Sequence, residues 1–468
     1  MARAQKWHPA PSIVNAARMS VLMQSGRMPL LRSSLFFTHG FTIHGSQKLH
    51  KPPLRLQKRK GTLMILGPRL LKHIALTLLT LLIPAAPLVA EHTSSIPYEI
   101  SLNTLLEHDD GTFLWFHPRA AAIPSSGTDR PPEVIITLQK HLQVSDFYSG
   151  MYMMNSKDLG KTWSGPTEIP ELAWREGPDD TIRAVCDVTP GYHEPTGKVL
   201  AIGAQLYYKR DGSQFASLHR ANQTAYAVYD PVAGIWSGWR ELKMPAEPKF
   251  DFSRCACAQW SVESDGRLLL PLYFGINDQV DASVTVASCT FDGKELSYVE
   301  HGTEMTIAGG RGLCEPSLAR FKDRYFLTLR NDTCGYVTSS ADGLHFDSIR
   351  PWCFDDGTEL GSYNTQQHWI THPKGLFLAY TRRGANNDHV FRHRAPLFLG
   401  QVNPDTLQVI RATERVVIPE RGATLGNFGA SRINACEFWV TVGEGIWNDE
   451  IRARGAKGAL YLARIAWE

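Results

Sequence analysis

Short apolar runs of five or six residues recur along the chain, and they constrain its fold more than any other feature of the sequence. The runs at 134–138, 325–329 and 438–442 are rich in β-branched and aromatic residues. Turn signals such as Asp342-Gly343 fall between them. Residues 91–468 contain no amphipathic helical pattern longer than two or three turns. Many short strands joined by tight turns predict an all-β domain.

A repeated turn motif narrows the architecture. Residues 156–163 match the Asp-box pattern Ser-x-Asp-x-Gly-x-Thr-Trp at every defined position, and residues 340–346 and 229–236 carry weaker versions. In such a hairpin Asp and Ser side chains satisfy backbone N–H groups, Gly adopts a positive φ, and the aromatic ring packs beneath the turn. We interpret the motif as structural. Its recurrence predicts a six-bladed β-propeller, with about 63 residues in each blade.

Charge divides the chain into two parts. Residues 1–90 carry 13 Lys and Arg and no Asp or Glu, so residues 91–468 hold 36 basic and 46 acidic side chains. We expect no nucleic-acid partner, because a domain that binds nucleic acid needs excess positive charge to neutralise phosphates.

Residues 64–90 are predicted to be a secretory signal peptide. A basic start precedes the apolar run at 74–83, prolines interrupt the pattern, and Ala90 precedes Glu91. The run is short for a bilayer span, which takes about 20 apolar residues. We therefore expect a secreted or periplasmic protein with no stable membrane span in the mature chain. An uncleaved membrane anchor is the alternative.

Residues 1–63 precede a segment that normally begins a protein. We interpret them as a non-native, unstructured extension, with Met64 as the true start. A mitochondrial presequence is the competing interpretation, because residues 1–90 are basic and free of acidic side chains.

Residues 91–468 are predicted to form a single propeller domain, because no Gly/Ser or Pro linker divides them. We expect the protein to be a monomer. All eight cysteines lie in this part. Export would permit disulfides, but a domain of this size does not need them, and buried free thiols are our default expectation. We find no cysteine and histidine spacing typical of zinc, no phosphate loop and no nucleotide fingerprint, so neither a metal nor a cofactor is expected.

Five charged residues accompany the Asp-box. They are Arg119 in a Phe-His-Pro-Arg segment, Asp146 ten residues before the box, Glu315 and Arg330 fifteen apart, and Arg394 at the start of an Arg-x-x-Leu run. With these residues, the chain resembles the sialidase (neuraminidase) superfamily over nearly all of 91–468. The resemblance implies an exo-acting glycoside hydrolase that removes a terminal acidic sugar from glycans.

The resemblance also implies roles for these side chains. Three guanidinium groups, from Arg119, Arg330 and Arg394, would bind the carboxylate of the sugar, a task that suits the planar fork of Arg. Asp146 would act as general acid and base, and Glu315 would assist it. The position of Arg394 could instead be taken by Arg382, Arg383 or Arg392. Further candidates for substrate binding are Tyr363 and Asn364.

One position departs from the family pattern. Retaining sialidases use a Tyr nucleophile, but Phe428 occupies the expected position and has no hydroxyl group. Either another tyrosine, such as Tyr363 or Tyr336, reaches the site, or the enzyme is not an ordinary sialidase. An inverting hydrolase needs only an acid and a base around a water molecule.

Two alternatives remain, and the polar segment 361–394, together with His141 beside Asp146, favours the first of them. His141 or His368, together with a tyrosine, could serve a propeller-type polysaccharide lyase or rhamnosidase that acts on uronate-containing polysaccharide, because His titrates near neutral pH. The other alternative is a non-catalytic glycan-binding propeller. The fold alone does not choose among these functions.

Overall fold

The six-bladed β-propeller predicted from the sequence is confirmed. The structure, a computed structural model, describes residues 95–125, 127, 130–144, 146–213, 222–277 and 281–467. These residues form 28 strands in six antiparallel sheets, which are the blades. The predicted signal peptide at 64–90 and the predicted extension at 1–63 lie outside the described residues.

The first half of the described chain forms blades 1 to 3. The strand that precedes blade 1 is β1 (Glu99–Glu107). Blade 1 contains β2 (Leu114–Ile123), β3 (Glu133–His141), β4 (Tyr148–Ser156) and β5 (Ser164–Glu168). Blade 2 contains β6 (Arg175–Glu176), β7 (Thr181–His193), β8 (Lys198–Lys209), β9 (Thr224–Asp230), β10 (Ile235–Trp236) and β11 (Arg240–Glu241). Blade 3 contains β12 (Phe252–Arg254), β13 (Ser261–Val262), β14 (Leu268–Gly275), β15 (Ser283–Phe291) and β16 (Leu296–His301).

The second half forms blades 4 to 6. Blade 4 contains β17 (Cys314–Phe321), β18 (Arg324–Arg330), β19 (Tyr336–Ser340) and β20 (Arg350–Pro351). Blade 5 contains β21 (His368–His372), β22 (Gly375–Tyr380), β23 (Leu397–Asn403), β24 (Gln408–Val409) and β25 (Arg415–Ile418). Blade 6 contains β26 (Gly429–Arg432), β27 (Glu437–Gly443) and β28 (Ala459–Ala466). The described residues include one α-helix, α1 (Asp449–Ala453), and five single-turn 3₁₀ helices.

The N-terminal strand completes the last blade and closes the ring. β1 pairs antiparallel with β28, so that Ile100 lies opposite Ile465 and Leu102 lies opposite Ala463. Blade 6 therefore combines three C-terminal strands with one strand from the other end of the domain.

Apolar clusters fill the spaces between neighbouring blades. Successive side chains of a strand point to opposite faces of its sheet. In β3, Ile135 packs in the cluster between blades 1 and 2, whereas Ile136 packs in the cluster between blades 6 and 1. Because both faces of a blade are buried, its central strands are continuous apolar runs in the sequence.

The predicted Asp-box hairpins connect the third and fourth strands of blades 1 and 4. In blade 1 the Ser156 hydroxyl accepts from the Gly160 backbone N–H at 2.7 Å, and Asp158 accepts from the Thr162 backbone N–H at 2.9 Å. In blade 4 the Ser340 hydroxyl accepts from the Gly343 backbone N–H at 2.9 Å. These side chains are engaged by their own turns.

The cysteines of the domain are free thiols in the structure. Five of the eight are buried, namely Cys186, Cys255, Cys257, Cys289 and Cys314. Within the described part of the chain, no helix has the length and apolar character needed to cross a membrane.

We predict that Phe377→Ala lowers the free energy of unfolding by about 3–5 kcal/mol, because it leaves a cavity in a closed core. Phe377 is fully buried between blades 5 and 6 and contacts Tyr98 edge-on at 5.6 Å between ring centroids. Urea denaturation of both proteins measures the change. Val232→Ala is the control, because Val232 is 95% exposed and its truncation should change stability by less than about 0.5 kcal/mol. A similar small change for Phe377→Ala would contradict the interblade packing.

Candidate active site

Bends in the innermost strands point polar side chains toward the propeller axis. His117, Asp187 and Glu315 lie on β2, β7 and β17, and Cys257 lies between β12 and β13. Each of the four has a positive φ between 43° and 54°. The strand register shifts around His117, Asp187 and Glu315. Such bulges turn a side chain away from its regular direction, and each non-glycine residue with positive φ costs about 1–3 kcal/mol. All four residues line one cavity.

The cavity has a volume of about 440 Å³ and opens on one face of the propeller. The starts of the innermost strands and the loops between the second and third strands meet at this face, because the strands of each blade are antiparallel. Asp146 comes from such a loop in blade 1, and Arg392 and Arg394 come from the corresponding loop in blade 5. The hairpins at 156–163 and 340–346 lie at the opposite face.

Glu315 and Arg330 form an ion pair inside the cavity. They lie together because β17 and β18 are antiparallel, with Cys314 opposite Arg330. Burial disfavours the charge of Arg330, but Glu315 outweighs this effect and raises the pKa of Arg330. Arg330 also donates to the Asn364 side-chain oxygen at 2.7 Å.

Arg394 lines the same cavity without a carboxylate partner among the described residues. Its Nε donates to the Asn364 backbone oxygen at 3.2 Å. Burial and the charge of Arg330 lower the pKa of Arg394 to about 10. An anion bound beside it would relieve this cost, because opposite charge favours the protonated form.

Asp146 is an exposed carboxylate at the mouth of the cavity. It has a positive φ of 55° and makes no hydrogen bond or ion pair with the described residues. Arg392 and Arg394 line the same cavity, where burial lowers the pKa of both arginines and the charge of Asp146 opposes this effect. The Asp146 carboxylate is therefore accessible to a molecule bound in the cavity.

Arg119 does not line the cavity. It is 1% exposed, and none of its three guanidinium nitrogens has a hydrogen-bond partner. Its charge helps to hold the pKa of Asp187 low and contributes to the low pKa of His368. The structure therefore brings Arg330 and Arg394 together in the cavity and buries Arg119 inside the propeller.

The two candidate histidines have different surroundings. His368 is buried, and its ring nitrogens lie 2.8 Å from the Ser317 hydroxyl and 3.0 Å from the Phe428 backbone oxygen. Burial and the charge of Arg119 lower the pKa of His368 to about 3. His141 lines the cavity with both ring nitrogens unpartnered, and burial and His117 lower its pKa to about 4.

Asn364, Tyr363 and Arg382, the remaining predicted residues, are each bound to other side chains. Asn364 connects Arg330 and Arg394, as described above, and its side-chain oxygen also lies 3.4 Å from Arg311. The Tyr363 hydroxyl lies 2.6 Å from Nδ1 of His393. Arg382 pairs with Glu414 at 2.7 Å and does not line the cavity.

Phe428 is buried, and its neighbour Asn427 lines the cavity instead. Three tyrosines, Tyr148, Tyr208 and Tyr273, do line it, whereas neither Tyr363 nor Tyr336 does. These three hydroxyl groups were not singled out from the sequence.

Sequence reasoning also missed several charged residues of the site. His117 and Asp187 form a pair at 2.8 Å, and Arg254 and Arg311 line the cavity. The sequence could have identified Asp187, because it is the single acidic residue in a largely apolar strand. Burial raises the pKa of Asp187, but His117 and Arg119 outweigh burial and hold it below its usual range. Within the ranges that the structure describes, no group of three or more potential ligands could hold a metal ion.

Comparison with solved structures supports the fold. A protein of unknown function from Dyadobacter fermentans matches 78% of this chain and 99% of its own, with a TM-score of 0.56 and 14% identity. The Trypanosoma rangeli sialidase matches 78% of this chain and 59% of its own, with a TM-score of 0.53 and 13% identity. A sialidase from Streptococcus pneumoniae matches 78% of this chain and 70% of its own, with a TM-score of 0.51 and 11% identity.

No protein-family model and no curated protein sequence matches the chain. At these identities the structural similarity shows a sialidase-type propeller fold, whereas the function has to be argued from the site.

We predict that His368→Gln flattens the pH dependence of stability between about pH 6.5 and pH 3. His368 stays neutral in the folded protein until about pH 3, whereas the unfolded chain takes up this proton near pH 6.5. Acidification therefore favours unfolding, and removing the group should reduce the slope by up to about 1.4 kcal/mol per pH unit. Urea denaturation of both proteins at several pH values measures the slope of the free energy of unfolding against pH. A slope equal to that of the wild type would contradict this pKa.

Proposed function

We propose that the protein is a glycoside hydrolase that removes a terminal acidic sugar from glycans, and that the cavity is its active site. The observation that carries the proposal is the convergence of Asp146, Glu315, Arg330 and Arg394 on one cavity. These residues come from blades 1, 4 and 5 and are separated by up to 248 positions in the chain. A sialidase-type fold and a cationic cavity with an unpaired carboxylate at its mouth support the same interpretation.

In this proposal Arg394 binds the carboxylate of the sugar, with Arg330 beside it. A guanidinium group offers a planar pair of donors that matches a carboxylate, and the contact is charge-assisted. Asn364 holds both arginines in place through its backbone and side-chain oxygens. Glu315 keeps Arg330 oriented and adds negative charge where positive charge develops on the sugar ring.

Asp146 is the general acid and base of the proposed reaction. It would donate a proton to the oxygen of the leaving group and later accept one from water. The nucleophile is either a hydroxyl of Tyr148, Tyr208 or Tyr273 or a water molecule. NMR of the first anomer released distinguishes the two, because a covalent intermediate retains the configuration and direct attack by water inverts it.

We predict that Asp146→Asn lowers kcat by about 10²–10⁴-fold on a fluorogenic sialoside or glucuronide that the wild type cleaves. The amide keeps the size of the side chain and removes the proton transfer. Asp405→Asn is the matched control, because Asp405 is exposed and does not line the cavity, and the activity of this variant should equal that of the wild type.

A folded wild-type protein that cleaves neither class of substrate would count against hydrolysis. Tight binding of acidic sugars without turnover, preserved in Asp146→Asn, would instead indicate a non-catalytic glycan-binding propeller.

A second candidate function is a polysaccharide lyase that acts on uronate-containing polysaccharide. The observation that favours it is the position of His141 in the cavity wall, with its ring 5.5 Å from that of Tyr148 and both nitrogens unpartnered. With a pKa of about 4, His141 is neutral at pH 7 and can accept a proton. A tyrosine hydroxyl can then donate one to the leaving group.

We predict that, under the lyase alternative, the product carries an unsaturated uronate with strong ultraviolet absorbance. His141→Ala would then reduce its formation by about 10²-fold or more, because the base is lost. His345→Ala is the control, since His345 is exposed in a hairpin on the opposite face. A saturated product would eliminate this alternative and leave hydrolysis in place.

A further inference from the structure

The cavity contains more cationic groups than one carboxylate requires. Five arginines line it, namely Arg254, Arg311, Arg330, Arg392 and Arg394, against the carboxylates of Asp146, Asp187 and Glu315. Two of these carboxylates are already engaged, Asp187 by His117 and Glu315 by Arg330. More arginines than carboxylates of the cavity are therefore left without a partner of opposite charge among the described residues.

Three of the five arginines have no carboxylate partner in the described part of the chain. Arg311 forms two hydrogen bonds with Asp332, at 2.6 and 2.7 Å, and Arg330 is paired with Glu315. Arg394 donates only to a backbone oxygen, and Arg254 and Arg392 form no ion pair with any described residue.

The unpaired arginines lie on two sides of the cavity. Arg392 and Arg394 belong to blade 5, whereas Arg254 ends β12 in blade 3. Blade 4, with the Arg330–Glu315 pair, lies between them in the ring. The cavity thus has two separate cationic positions.

Arg254 has no carboxylate partner among the described residues, and two aromatic rings hold its side chain in place. Its guanidinium carbon lies 4.9 Å from the ring centroid of Phe252 and 5.0 Å from that of Tyr273. Its Nε is buried and has no hydrogen-bond partner. The nearby Asn222 side chain, which is 4% exposed, also has an unpartnered oxygen on the cavity wall. A buried unsatisfied donor carries a desolvation cost that a bound acceptor would remove.

We propose that the substrate is a sugar acid with a second anionic group, and that Arg254 binds this second group while Arg394 and Arg330 bind the carboxylate. The inference rests on the proposed function, because it identifies the substrate class of the same cavity. A sulfate or phosphate ester provides oxygen acceptors for a charge-assisted contact with the guanidinium fork. A single carboxylate on the blade 5 side would leave Arg254 unpaired.

Isothermal titration calorimetry of the full chain tests the proposal without depending on turnover. The probes are glucuronic acid and N-acetylneuraminic acid, each alone and as panels of its monosulfate and monophosphate positional isomers. We expect at least one doubly charged isomer to bind about tenfold or more tightly than its singly charged parent, as is typical of a hydrogen bond between charged groups. The sulfate and phosphate arms identify which ester is preferred.

Arg254→Met should abolish this preference, so that the ratio of the affinities for the doubly and the singly charged probe falls from about tenfold to about one. Met retains an unbranched apolar stem against Phe252 and Tyr273, and a thermal melt confirms folding. Arg254→Lys keeps the charge without the fork and should restore part of the preference. Arg350→Met is the matched control, since Arg350 is exposed on β20 and does not line the cavity.

Two results would overturn the inference and leave the proposed function intact. One is a wild type that binds both classes of probe equally. The other is a loss of affinity in Arg254→Met that is the same for singly and doubly charged probes. Failure of the wild type to bind any acidic sugar would overturn the proposed function together with the inference.

Discussion

Ring closure by β1 and β28 is the constraint on which the rest of the structure depends. Each blade buries both faces against its neighbours, so an open ring would expose one apolar face at each end. The pairing of the N-terminal strand with the last C-terminal strand removes these ends by backbone hydrogen bonds. Because the closed ring fixes the distance of every blade from the axis, it also fixes the positions of the side chains that meet in the cavity.

This rigid frame supports a strained site. His117, Asp187, Cys257 and Glu315 all have positive φ, which is costly for residues with a side chain. Most of the residues beside them in the chain are buried. Interblade packing therefore holds the bends that point polar groups toward the axis, and the cost of the site is offset by the apolar clusters around it.

The sequence predicts the blades better than the site. The apolar runs and the predicted Asp-box turns depend only on residues that are close in the sequence, so they can be recognised without knowing the fold. Glu315 and Arg330 were singled out only because their spacing of fifteen residues matches the family that the chain resembles, and their ion pair follows from the register of β17 and β18, which the sequence does not show. Arg119 illustrates the limit. The register shift after Phe116 points His117 into the cavity and leaves Arg119 inside the propeller, and a bulge of this kind has no clear sequence signal.

Arg254 was not predictable for a different reason. Its significance comes from its surroundings in the cavity, where the described carboxylates of Asp187 and Glu315 are already paired with His117 and Arg330. Unpaired buried charge is costly, and a chain selected for stability alone would replace it with a neutral side chain. Arg394, with its lowered pKa, and Arg254, with its buried unpartnered Nε, therefore carry a cost that packing does not explain. A ligand that brings negative charge to both arginines would offset this cost. The charge distribution of the cavity therefore favours a ligand with two anionic groups.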